Sequence, residues 1–316
     1  MSEITMKLRE RFCKDFNIPI KIFNDKYFAS RLSLYDYHYD CIKKYHRFVE
    51  LVNRLGGEQK YLEYYSNIKN NAITYLHENE AMSYFSKEED MSKFCIKNTG
   101  FSKKHIYTTN NAGKCFVSLD MKKGNFTALH HYNPEIVANK DTYEEFIAMF
   151  TNEPHMIESK YIRQVIFGNV NPRRQTTYEH YLMDKVLTEV LTYVNKEDIA
   201  NFSTDEIVFC INENEMQDIM EKVYKTVEKS CANNINIRPE FFRLHKIEGT
   251  SDGYIKESLT EKKKYTIRCV DSLTMPFVLR CLYEDEIDEK DSVFIYEGKL
   301  SKLLEIPEIK IPTLLK

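Results

Sequence analysis

Apolar residues recur three and four apart through most of the first hundred positions. Tyr35, Tyr39, Ile42, Tyr45, Phe48, Val49 and Val52 form one such stripe, which predicts an amphipathic helix of several turns. Leu55-Gly56-Gly57 ends it as a C-terminal glycine stop does. A second helical run follows through Tyr61, Tyr64, Tyr65, Ile68, Ala72 and Tyr75, and a third precedes Phe94. Tyrosines at this spacing read as core, with base stacking as the alternative use. The polar stretch 97–113, containing Asn110-Asn111 and Gly113, marks a boundary near residue 112.

The pattern then changes. Residues 114–119 are a short, largely apolar run ending in Asp120, which predicts a buried strand with a carboxylate at its end. Met121-Lys122-Lys123-Gly124 makes a turn, and a short helix begins at Asn125. Asp141-Thr142-Tyr143-Glu144 opens another helix with a capping-box-like pattern, continued by Phe146, Ile147, Met149 and Phe150. One helix is expected over 157–170, carrying Lys160 and Arg163 ahead of Phe167-Gly168-Asn169. Asn171 as N-cap and Pro172 at the first helical position open the longest helix. Its apolar side, Tyr178, Leu182, Val186, Val190 and Val194, suits a helix lying along a sheet.

Two strand-favouring runs, 199–202 and 207–211, flank the polar centre Ser203-Thr204-Asp205-Glu206. They predict a β-hairpin that carries two carboxylates to its tip; a plain polar turn is the simpler reading. Asn212 with Glu215 caps a helix through Ile219, Val223 and Val227. Strand-like runs return at 241–247 and 264–270, with a turn at Ser251-Asp252-Gly253, a short helix over 273–282, a last strand over 293–296 and an extended tail past Glu305. The expected fold is α+β: a helical N-terminal region (1–112), a central antiparallel sheet with packed helices (113–232), and a smaller C-terminal α/β or β region (233–316).

Composition narrows the classes. A chain of 316 residues with 42% hydrophobic positions can bury a sizeable core in one or two domains. A net charge of −3 argues against a uniformly basic nucleic-acid coat but leaves room for a local basic groove. The eight cysteines are scattered without a C-x-x-C pair, so a reduced intracellular protein is expected rather than a disulfide scaffold or a zinc module. No run reaches the roughly 18 apolar residues of a membrane helix, and no signal-peptide core opens the chain. Abundant Lys, Asn, Ile and Tyr with no Trp fit an AT-rich genome, viral or phage. Walker, Rossmann, nucleophile-elbow and H-E-x-x-H patterns are absent, and the histidines have no metal-ligand spacing.

Adjacent acids at a hairpin tip repel unless a cation sits with them, and Mg²⁺ or Mn²⁺ takes such oxygen ligands. Asp120, Asp205 and Glu206 therefore form the candidate catalytic set, with Asp120 and Asp205 holding the metal. Lys160 and Arg163, with Arg173 and Arg174 at the next helix start, are candidates for phosphate binding. A solvated face for the first pair, and a local salt bridge to Glu179 or another acid for the second, are the plainer alternatives. Asp120 also reads as a simple helix cap. Lys262, Lys263 and Lys264, near Arg268, Lys246 and Arg243, form either a basic face for a nucleic-acid backbone or a hairpin kept soluble by lysines.

F-V-S-L-D-M-K-K-G-N-F (116–126) resembles motif A of the palm domain shared by nucleic-acid polymerases and related nucleotidyltransferases. Y-I-R-Q-V-I-F-G-N-V-N-P (161–172) resembles a polymerase fingers helix, and F-S-T-D-E-I-V-F (202–209) resembles motif C. The resemblance implies a palm-like sheet, metal binding by Asp120 and Asp205, and Glu206 as an accessory acid. It further implies Arg163 near a nucleoside triphosphate, Phe126 under the incoming sugar, and a DNA or RNA end as partner, with no membrane. No second Asp follows Asp120 in a D-x-D arrangement, and Ser203 stands at the first motif C position. Both departures favour the alternative, a non-catalytic nucleic-acid- or protein-binding factor with a degenerate palm.

Overall fold

The N-terminal helices close over their own aromatic stripe. In the computed structural model, which describes residues 4–87 and 91–312, they are α1 (Met6–Phe16), α2 (Asp25–Tyr39), α3 (Cys41–Leu55), α4 (Glu58–Glu78) and α5 (Glu80–Lys87). The single helix expected through Tyr35–Val52 is broken at Asp40, whose left-handed φ of 47° both ends α2 and starts α3. The Asp36 carboxylate accepts the Ile42 amide at 2.7 Å and seals this corner. The stripe stays in phase because both helices face one core, with Tyr35, Phe48, Leu51 and Val52 all buried. Gly56, at φ 96°, closes α3 as the sequence predicts.

The chain continues through β1 (Cys115–Met121), α6 (Gly124–Tyr132), α7 (Tyr143–Ile147), α8 (Pro154–Glu158), α9 (Lys160–Gly168) and α10 (Pro172–Val190). The capping box of α7 is Thr142 with Glu145, one residue on from the expected pair. The helix expected over 157–170 is two helices. Ser159 divides them, its hydroxyl accepting the Ile162 amide at 3.1 Å and donating to buried Asp15 at 2.7 Å. Asn171 opens α10 through a left-handed φ of 48° and makes no side-chain cap, although Pro172 holds its expected place.

The hairpin forms as β2 (Ile199–Phe202) and β3 (Glu206–Ile211), followed by α11 (Met216–Ala232), β4 (Ile237–Lys246), β5 (Tyr254–Ser258), β6 (Tyr265–Arg268), α12 (Met275–Leu282), β7 (Val293–Tyr296) and β8 (Lys299–Lys302). The fold is α+β. Its six-stranded antiparallel sheet runs β2-β3-β1-β4-β5-β6, so β1 is central and β4 pairs directly with it. β7 and β8 form a separate two-stranded sheet.

Alternation gives the large sheet two unlike faces. Val117, Leu119, Ile207, Phe209 and Phe241 share a buried cluster with Leu182, Val186 and Val223 of α10 and α11. Ser118, Asp120, Glu206 and Arg238 occupy the opposite face, as the strand register requires. Among the described residues no helix is long and apolar enough to cross a membrane.

Candidate active site

The two acidic elements meet because the sheet brings them together. Asp120 stands directly opposite Glu206 in the β1–β3 register. The Met121 amide donates to the Asp205 carbonyl at 2.8 Å, fastening the hairpin tip to the end of β1. Asp120 and Asp205 then border one cleft of about 870 Å³. Lys160 and Arg163 project into the same cleft from α9, and Phe126 and Tyr143 also line it.

The two cations are differently placed. Lys160 is exposed at the first position of α9. Arg163 is half-buried with its guanidinium 5.7 Å from the Tyr143 ring centre, and burial lowers its pKa against the opposing pull of Tyr143 and Glu144. Among the described residues neither has a carboxylate within ion-pair distance. Lys123, by contrast, is paired with Glu144. A half-buried guanidinium without an acid is costly unless an anion joins it.

The acids are constrained too. Arg238 lies opposite Asp120 on β4 and donates to its Oδ2 at 2.7 Å. Burial raises the Asp120 pKa; Arg238 opposes that, while Glu206 and Asp205 reinforce it. Glu206 accepts the Ser118 hydroxyl at 2.5 Å and does not line the cleft. A different acid does so in its place. Glu179 of α10 is 7% exposed, accepts Asn125 Nδ2 at 3.0 Å and borders the cleft. Burial first, and the Asp205 charge second, push its pKa up to about 7. A methyl group on Gly124 would stand 3.1 Å from the Glu179 carboxyl carbon, so the glycine leaves room for this acid.

Of the other expected site residues, only Phe126 meets the cleft, and it does so from beneath. Phe126 is 2% exposed and stacks on His130, with ring centres 5.9 Å apart, so it supports the cleft floor from within the core. Arg173 is exposed, and Arg174 reaches the Phe85 carbonyl and the Met91 sulfur; neither lines the cleft. The local salt bridge from this pair to Glu179 does not form, because Glu179 turns inward to Asn125. Lys262, Lys263 and Lys264 occupy the β5–β6 turn, with Lys264 paired to Glu261 at 2.5 Å. The strand register puts that turn at the Asp120 end of the sheet, beyond β4 and outside the cleft.

Sequence reasoning missed two functional candidates. Glu179 falls three and four residues before Leu182 and Met183, on the buried side of α10; a carboxylate within an apolar stripe, a feature Asp184 shares, was the available signal. Arg238 carried none, since its partnership depends on which residue stands across the sheet.

Among the described residues no three His, Cys, Asp or Glu side chains gather in a metal-holding group. Two carboxylates at a cleft still suit Mg²⁺ or Mn²⁺, which keep several waters and take the remaining oxygens from substrate phosphates. The crowding of Asp205 and Glu206 that raises the Asp120 pKa is negative charge a hard cation relieves. Asp120 would exchange its bond to Arg238 for that role. Comparison of the chain with protein-family models, curated proteins and solved structures gives no match.

Proposed function

We propose that this chain is a metal-dependent nucleotidyltransferase of the palm type, extending a DNA or RNA end from nucleoside triphosphates. One observation carries the reading: acids at two adjacent strand ends, Asp120 and Asp205, share a cleft with two cations, Lys160 and Arg163, that have no acid partner among the described residues. Phosphoryl transfer demands little covalent chemistry from the protein beyond positioning and charge. A terminal hydroxyl oxygen attacks the α-phosphorus and gives up its proton to solvent, the bond from that phosphorus to the oxygen bridging to the β-phosphate breaks, and pyrophosphate departs with that oxygen. Lys160 and Arg163 meet the charge on the leaving phosphates, while Asp120 and Asp205 hold the divalent cation. A divalent cation held there would supply charge stabilisation to the transfer.

The test is Asp205→Asn. Asp205 is exposed at the hairpin tip, so the variant should unfold at the wild-type temperature. Its Mg²⁺-dependent incorporation should fall about a thousandfold, equivalent to ~4 kcal/mol of barrier. Full activity in the variant would rule the reading out. A second reading, a nucleic-acid-binding palm without catalysis, is favoured by Arg238 on Asp120 and Ser118 on Glu206. It requires binding indifferent to Mg²⁺ together with no incorporation on primer-template or single strands.

A further inference from the structure

The segment 101–108 leaves the helical region at the β2 edge, where Phe101 packs on Phe202 of the helix-covered face, and from Ile106 onward lies over the face that carries Asp120. Its start is pinned to the edge, where the Phe202 amide of β2 donates to the Ser102 carbonyl at 2.9 Å. Its middle is pinned over the centre. Ile106, 4% exposed, shares a small buried cluster with Phe116, Val208, Phe242 and Tyr254, from β1, β3, β4 and β5. Tyr107 follows with its ring 5.8 Å from that of Tyr254. The segment is therefore a fixed strap over the sheet.

Its position limits what can lie beside the acids. Phe116 and Phe242 are paired, four residues along their strands from the paired Asp120 and Arg238. At ~3.3 Å per residue, roughly 13 Å of floor separates the acids from the strap. A duplex laid along the strands rises ~3.4 Å per base pair and would meet the strap after about four pairs. A single strand crossing the floor would instead run beside the strap. There Lys103, Lys104 and His105 are exposed, and among the described residues neither lysine has an acid partner. His105 and Tyr107 add two rings with centres 5.8 Å apart, the mixture of cations and aromatic faces that suits unpaired bases.

We propose that this strap holds a single-stranded nucleic-acid end on the sheet, with Lys103 and Lys104 taking its backbone phosphates, and turns away long duplex. The proposal takes from the nucleotidyltransferase reading only that nucleic acid is the ligand. The full chain is titrated without metal against fluorescein-labelled 20-nucleotide single-stranded DNA, the same sequence as RNA, and a 20-base-pair blunt duplex. Wild type should bind a single strand at least tenfold tighter than duplex. Lys103→Glu with Lys104→Glu should weaken that binding tenfold or more and leave the unfolding temperature unchanged. Losing two phosphate contacts should also flatten the salt dependence, log K against log salt, by about 1.4. Equal affinity for duplex, or an unchanged affinity and salt slope in the double variant, overturns the proposal. Wild type that shows the preference but incorporates no nucleotide overturns the catalytic reading while supporting the strap.

Discussion

At Glu179 burial and a neighbouring charge push in the same direction. The acid is 7% exposed, Asp205 stands near enough to add repulsion, and the pKa rises from 4.5 to about 7. The folded protein thus holds this proton more tightly than the unfolded chain does. Stability from this group is greatest below pH 4.5, falls as the pH rises, and is fully lost above about 7. The difference is roughly 3 kcal/mol by linkage. Glu179→Gln keeps the shape and removes the titration. Urea unfolding at pH 5 and pH 8 should show wild type losing stability between the two, with the variant losing less and exceeding wild type at pH 8. Identical pH dependence in both proteins would refute the assignment. Asp120 differs because Arg238 works against its burial, and that pair, 65% and 31% exposed at its side chains, contributes at most ~1 kcal/mol.

Elements with a clean period were readable from the chain. The hairpin β2–β3 and strand β1 announced themselves by short apolar runs ending in acids, and both stand where expected. Breaks inside a continuing period were not readable. Asp40 divides α2 from α3 without disturbing the stripe, and Ser159 separates α8 from α9 because Asp15, distant in sequence, receives its hydroxyl. Strand β5 escaped because Lys256 sits at an inward position. Its ammonium is buried between the Phe242 ring and Glu240, a partnership that exists only after β4 and β5 pair. Four of the six residues at the site were legible for the same reason: Asp120, Asp205, Lys160 and Arg163 lie at or near element ends, whereas Glu179 and Arg238 gain meaning from packing. Gly249 shows the effect at a turn. At φ 81°, an added Cβ would lie 2.1 Å from the Glu308 carbonyl oxygen, where Glu248 and Lys310 exchange backbone hydrogen bonds. Gly249→Ala should release the tail from 303 onward to limited proteolysis. Gly298→Ala, which carries a similar φ of 74° but meets nothing within 4 Å, should leave tail cleavage at the wild-type rate.

One buried cluster runs from Leu8 in α1 to Ile311 near the end of the described chain, so distant parts of the sequence share a core. Polar ties reinforce it where apolar packing alone would let elements slide. Arg31 of α2 is 4% exposed and donates through Nη2 to the carbonyls of Lys290, Asp291 and Val293. Its Nη1 lies 3.8 Å from the Asp291 carboxylate, itself bound by Arg280 Nε at 2.9 Å and by the Asp288 amide at 2.8 Å. Leucine at position 31 would fill part of the space yet leave those carbonyls and part of the Asp291 charge unmet. Removing one partner of a buried charged network costs about 3–5 kcal/mol. Arg31→Leu should therefore lower the unfolding temperature by roughly 10 °C, at ~2–4 °C per kcal/mol for a chain of this size. Glu63→Ala breaks only the exposed Lys60–Glu63 pair, 65% and 46% exposed, and should cost under about 1 kcal/mol. If the two ends of the chain unfold together, circular dichroism and tyrosine fluorescence will report one shifted transition for Arg31→Leu. Two separated transitions, with only the later one at the wild-type temperature, would mean that the C-terminal hairpin leaves first and that this tie joins otherwise independent units.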